Sequence, residues 1–384
     1  MCLGRTALAQ TWADDPPERR ASWTARGDEI VRLVREHFFD RKVAEDWATR
    51  FAGYSRAADS DEKFVDVTRW VLGELKASHT GFFTTRDAKY YGLRAIFASA
   101  LKVTTVEWDS PGADFTAEHF VRVVFAGGPA AKAGLRRGDK ILQADGKVFH
   151  PVDSFRGRSG KPVILTVQRK ADGLPIAIQI TPRRIDPKRE WLVAEENGAK
   201  LIARRGKRAA YVPLFSCAGD EYERALRELL STRLRDADAL ILDVRDGFGG
   251  CNPQMVNVFN RAPAVLTYID RKGQRRPFDP QWRKPLVVLI NGGSSSGKEV
   301  FAHSIKVHGL GTLVGQRTAG AVLAGRCFLL CDGSVLYLAV SDLEVDGQRL
   351  EGRGIDPDIE VADALEFADG VDPQLDAAID VATR

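Results

Sequence analysis

The run Leu286-Val287-Val288-Leu289-Ile290 leads directly into Asn291-Gly292-Gly293-Ser294-Ser295-Ser296-Gly297-Lys298-Glu299, and then into the helix-like stretch Val300-Phe301-Ala302-His303-Ser304-Ile305. A strand, a tight Gly/Ser turn and a helix is the arrangement by which α/β proteins present a reactive group or grip an anion. Two chemistries compete for the turn. Gly292 to Lys298 fits most of a phosphate loop, G-x-x-x-x-G-K, but Glu299 stands where a hydroxyl should hold magnesium. The other reading is a serine nucleophile on a strand-to-helix turn.

The pattern around this segment predicts a mixed α/β domain from about residue 186 to residue 384. Ala210–Leu214 and Ala239–Val244 read as strands and Tyr222–Leu234 as a helix, with another helix expected through Val256 to Asn260. Upstream, Ile30, Val31, Leu33, Val34, Phe38 and Phe39 repeat at helix spacing, as do Phe64, Val65, Val67, Trp70, Val71, Leu72 and Leu75. They predict a helical N-terminal domain over 24–87, behind a loose polar lead at 1–23. Residues 88–185 turn to strand patterning, as in Val121–Phe125 and Val163–Arg169.

Length and composition suit a soluble globular chain: 384 residues, 44% apolar and 28% charged. The net charge of +4 suggests no nucleic acid or membrane surface as partner. No run approaches the roughly 20 apolar residues of a membrane span. The five cysteines are scattered; Cys327 and Cys331 read as ordinary strand residues, so no metal and no cofactor is expected. Thr6-Ala7-Leu8-Ala9-Gln10 looks like a signal cleavage site with too little before it. If an export signal is missing from the start, the location is the periplasm or cell envelope; otherwise it is the cytoplasm. Oligomeric state is not legible.

The segment Gly127-Gly128-Pro129-Ala130-Ala131-Lys132-Ala133-Gly134-Leu135-Arg136-Arg137-Gly138-Asp139-Lys140-Ile141 resembles the signature of a PDZ domain of the bacterial protease type. A short Ala-rich helix ends at Gly134, where a left-handed cap suits glycine. The resemblance implies strand addition of an extended peptide, with Gly134 and Leu135 at the binding site.

With that domain in place, most of the chain resembles the C-terminal processing peptidases and the tricorn core, serine peptidases of crotonase-like α/β fold with a helical N-terminal segment and an inserted PDZ domain. Four segments carry the resemblance: Leu242–Gly250, Asn291–Glu299, Val314–Gly320 and Glu351–Ile359. Aligned on Glu299, the family nucleophile falls on Ser296, with the amide of Gly297 and that of Gly249 or Gly250 as oxyanion donors. The processing peptidases' lysine base is absent, because Ala321 occupies its position.

A serine hydroxyl needs a base near neutral pH. The tricorn branch implies a histidine in a short Ser-His motif, here His79 in Ser78-His79-Thr80-Gly81, and an acidic partner that falls on Glu351. Lys298, two residues after Ser296, does not share its helix face and is a poor candidate base. The implied function is a serine-type peptidase acting on peptides or unfolded proteins through Ser296, His79 and Glu351, with the PDZ domain binding substrate C-terminal tails. The alternative is an inactive peptide- or ligand-binding relative.

Overall fold

A computed structural model describes residues 16–279 and 281–384. The Thr6–Gln10 segment lies outside the described residues. The sheet that carries the site runs in the order Lys200–Arg204, Lys207–Pro213, Ala239–Asp243, Leu286–Ile290, Thr312–Gly315, Ile359–Glu360. The first pair is antiparallel and every later neighbour is parallel. Each residue of Ala239–Asp243 and Leu286–Ile290 is buried, because helices cover both faces of the sheet.

Alternate side chains serve the two layers. Leu240, Leu242, Val288 and Ile290 pack with Leu226, Leu229, Phe301 and Ile305 of helices Asp220–Ser231 and Gly297–Val307. Ile241, Val287, Leu289 and Val314 face Ala378, Ile379 and Ala382 of helix Pro373–Ala382. Tyr222, Ala225, Leu226, Leu229 and Leu230 recur at helix spacing, so one stripe of Asp220–Ser231 is buried. Each such leucine contributes about 1.5–3 kcal/mol of burial.

The N-terminal region packs helices Pro16–His37, Arg41–Arg50 and Asp61–Gly73 onto a three-stranded sheet drawn from both ends of the chain. Strand Gly81–Phe83 pairs with Val335–Ser341, which pairs with Ala324–Leu329. Phe82 joins Phe64, Leu336 and Leu338 in the shared core. Residues 79–83 are thereby fixed beside the C-terminal half of the chain.

The PDZ-like region is a sheet of Lys147–Val148, Lys140–Ala144, Val163–Gln168 and Ile176–Ile180, with the two-stranded ribbon Ala113–Phe115/Val121–Val124 and the helix Pro129–Ala133. It leans on the α/β region through a T-shaped Phe120–Phe367 contact and the Arg137–Asp363 and Arg136–Asp369 ion pairs.

Three expectations are corrected. The polar lead ends early: the first helix begins at Pro16, and Trp23 is buried. The segment expected as a helix to Asn260 is a 3₁₀ stretch, Pro253–Val258. Cys331 lies in an exposed turn after the strand that contains Cys327. No described helix is long and apolar enough to cross a membrane.

Candidate active site

Ser296 stands where strand Leu286–Ile290 passes into helix Gly297–Val307, at the carboxyl end of the parallel strands. Its backbone has φ 59° and ψ −130°, a conformation rarely tolerated by a residue with a Cβ. The neighbouring turn holds it there. Ser294 is fully buried, its hydroxyl donating to Val244 O at 2.9 Å and accepting from Asn291 N at 3.1 Å. Ser294 is therefore a turn residue. The half-buried Ser296 hydroxyl makes no hydrogen bond among the described residues.

Glu299 brackets the segment beside Ser296. Its Oε1 accepts from Thr318 Oγ1 at 2.6 Å and Gly320 N at 2.7 Å, and its Oε2 from Ala321 N at 2.7 Å. Burial pushes its carboxyl upward despite these bonds. The Ala321 carbonyl in turn accepts the Ser296 amide at 2.7 Å. With Glu299 and Lys298 both turned into the protein, neither is available to a phosphate or its magnesium, and the phosphate-loop reading has no grip.

The same segment reaches Glu351. The amides of Val322 and Leu323 donate to Glu351 Oε2 at 2.7 and 3.2 Å. Glu351 Oε1 accepts the Ser78 amide at 3.1 Å, and Oε2 accepts the Ser78 hydroxyl at 2.9 Å. Ser78 Oγ lies 2.9 Å from His79 Nδ1. A hydroxyl has one proton, and here it goes to the carboxylate; its oxygen must then accept from Nδ1–H. This fixes the tautomer, leaving Nε2 with its lone pair.

The imidazole packs against Tyr337, with ring centroids 5.5 Å apart. Burial, then the Lys89 ammonium, push its pKa down to about 4, against a smaller upward pull from Glu351. The ring is neutral at pH 7.

The glycine loop after Asp243 closes the site. A Cβ on Gly249 would meet Ser295 O and Ser296 Cβ at 2.7 Å, and one on Gly297 would meet Cys251 N at 2.4 Å and Gly250 N at 3.0 Å. Only glycine permits this approach. The amides of Gly249, Gly250 and Gly297 donate to no acceptor among the described residues. A disulfide joins Cys217 to Cys251 beside them.

Sequence reading thus marked Ser296, Gly297, Gly249 and Gly250, which lie together, and His79 with Glu351, which are joined through Ser78. Ser296 and His79 are not hydrogen-bonded to each other; the Ala321–Leu323 segment connects their surroundings. Ser78 was missed as a participant, although the Ser-His pair was its signal. The Cys217–Cys251 bridge left no spacing signal. Lys298 donates to the carbonyls of Asp246 and Phe215, which leaves it no part as a base. In the PDZ-like region Gly134 caps its helix at φ 76°, and Leu135 is buried in the local core. Strand Ala113–Phe115 is paired on one edge only among the described residues.

Comparisons with known proteins bear on this geometry. The profile described as Peptidase family S41 matches residues 208–361, and that of a PDZ domain matches residues 120–169. The chain is 29% identical to Tricorn protease homolog 1 of Streptomyces coelicolor, over 95% of this chain and 35% of that protein. It is 27% identical to a carboxyl-terminal-processing protease of Synechocystis sp., over 99% of this chain and 90% of that one. The crystal structure of the tricorn protease matches with a TM-score of 0.56 at 21% identity, over 94% of this chain and 36% of that one, a likeness of fold. The chain spans about a third of the length of the Streptomyces coelicolor relatives it matches.

Proposed function

We propose that this chain, which matches the Peptidase family S41 profile over residues 208–361 and a PDZ domain profile over residues 120–169, is a serine peptidase that cleaves peptides or unfolded proteins, with Ser296 as nucleophile and His79 as base. The observation that carries this reading is the relay from Glu351 through the Ser78 hydroxyl to His79 Nδ1. It leaves Nε2 as the proton acceptor, which is what a serine nucleophile lacking a lysine base requires.

In the proposed reaction Ser296 Oγ attacks the scissile carbonyl carbon while His79 Nε2 takes its proton. The carbonyl oxygen becomes an oxyanion and accepts from the Gly297 amide and the Gly249 or Gly250 amide. Collapse breaks the C–N bond, and His79 returns the proton to the departing amine. Water then attacks the acyl-enzyme by the same route in reverse. The unformed Ser296–His79 hydrogen bond tightens when substrate occupies the cleft.

The PDZ domain is assigned the substrate's C-terminal tail. The free edge of Ala113–Phe115 supports addition of a peptide strand there. A peptide with a free C-terminus should bind more tightly than its amidated twin in fluorescence anisotropy; equal binding removes the tail assignment. Ser296→Ala should lower cleavage of an unstructured protein by about 10³-fold or more. Equal digestion by wild type and variant, or by neither, contradicts the proposal.

A further inference from the structure

Among the described residues Lys298 is the largest charged side chain fully sealed from solvent, and the proposed reaction gives it no task. It lies on the first turn of the helix that begins beside Ser296. Its Nζ donates to Asp246 O at 2.6 Å and to Phe215 O at 3.3 Å. Phe215 O also accepts the Phe248 amide at 2.8 Å, and Cys217 N donates to Gly249 O at 3.2 Å. These two loops form the wall that presses Gly249 and Gly250 against Ser296 and Gly297. Asp246 adopts φ 51° and turns its carbonyl inward. An inward carbonyl needs a buried donor, and an ammonium is the strongest available.

We propose that Lys298 is a positioning residue for the oxyanion hole: by fastening the carbonyls of Asp246 and Phe215 to the nucleophile helix, it aims the amides of the Gly249-Gly250 turn at the oxygen of the tetrahedral intermediate. The inference rests on Ser296 being the nucleophile. It goes beyond that reading because it ties the hole's geometry to a residue that touches neither substrate nor reacting atom. One helix then carries the nucleophile's turn, one amide donor and the anchor of the opposite wall, so the two walls keep their spacing.

The titratable groups facing Lys298 are Asp246 and Asp243 on the adjoining loop and strand, and Glu195 on helix Pro187–Gly198. Glu195 has both oxygens buried without hydrogen-bond partners, and burial holds its carboxyl well above the usual range. Burial pushes Lys298 down to about 8 against the upward pull of Asp246, Asp243 and Glu195. Below that pH the ammonium is present; above it the neutral amine keeps its N–H bonds but loses its charge.

The test is the rate of covalent labelling by a fluorophosphonate probe, together with kcat and KM on a fluorogenic unstructured peptide, for wild type, Lys298→Met and Ser296→Ala. Lys298→Met should lower kcat and the maximal labelling rate by about 10²-fold and change KM by less than about threefold, with cooperative thermal unfolding retained. Rates within about threefold of wild type would overturn the inference. Should Lys298→Met fail to fold, Lys298→Gln, whose shorter side chain cannot hold both carbonyls, is measured in its place with the same two outcomes. If Ser296→Ala still labels like wild type, the nucleophile assignment has failed instead.

Discussion

Three serines stand in a row, and their partners separate them. Ser294 is spent on Val244 and Asn291, whereas Ser296 keeps its hydroxyl free in a conformation that only a well-supported turn can hold. His79 is kept neutral chiefly by burial. The acid limb of kcat/KM should therefore lie near pH 4 and not near the ordinary histidine value of about 6.5. The linked stability effect has a definite sign. Between pH 6.5 and about 4 the unfolded chain takes up a proton that the folded imidazole refuses, so stability falls as pH falls through that window. Denaturant melts at pH 7 and pH 5 should show it, and His79→Asn should remove that part of the difference. Ser78→Ala should reduce kcat by roughly 10²-fold, the low end of a general base's contribution, because it frees the tautomer; unchanged kcat would remove Ser78 from the relay. Ser296 and Glu351 can be proposed from the sequence because each sits in a short motif. Ser78 stands in the same motif as His79, but a hydroxyl relay exists only once residues 273 positions apart in sequence meet. Helix-face spacing says whether Lys298 reaches Ser296 and nothing about what lies beneath the turn.

At the level of elements, the unbroken apolar run Leu286–Ile290 and the nearly apolar Ala239–Asp243 announced the sheet and put the Gly/Ser turn at its carboxyl edge. The errors fell where local composition misleads. Pro16 and Pro17 suggested a loose lead, yet proline is at home in the first turn of a helix, and Trp23 anchors it. Pro253 opens a stretch capped by Asn252 that tightens into 3₁₀ turns before an α-helix can extend. The Cys217–Cys251 pairing was hidden because it depends on two loops meeting at neighbouring strand ends, 34 residues apart. It closes the base of the glycine loop. Replacing both cysteines by serine should cost about 2–4 kcal/mol in denaturant unfolding and lower kcat more than it raises KM; full activity would show that the loop holds its shape unaided.

Across the whole molecule, the proposed site is assembled from the two ends of the chain. The pairing of Gly81–Phe83 with Val335–Ser341 delivers His79, and the parallel sheet delivers Ser296. Phe82, buried to 1% and edge-on to Phe64 at 5.9 Å, pins the junction. Phe82→Ala should cost about 3–5 kcal/mol and lower activity even at temperatures where the protein remains folded. The order of helical region, PDZ domain and α/β region could be read from motifs in sequence order. The depth of contact between the PDZ domain and the α/β region could not, because Phe120–Phe367 and Arg137–Asp363 join positions over two hundred residues apart.

Activation of Ser296 by His79 can be read out by peptide mapping of the fluorophosphonate-labelled protein. One adduct on Ser296, lost in Ser296→Ala and slowed by about 10²-fold or more in His79→Ala, is the expected result. An adduct on another residue, or labelling of Ser296 at the wild-type rate in His79→Ala, would contradict it.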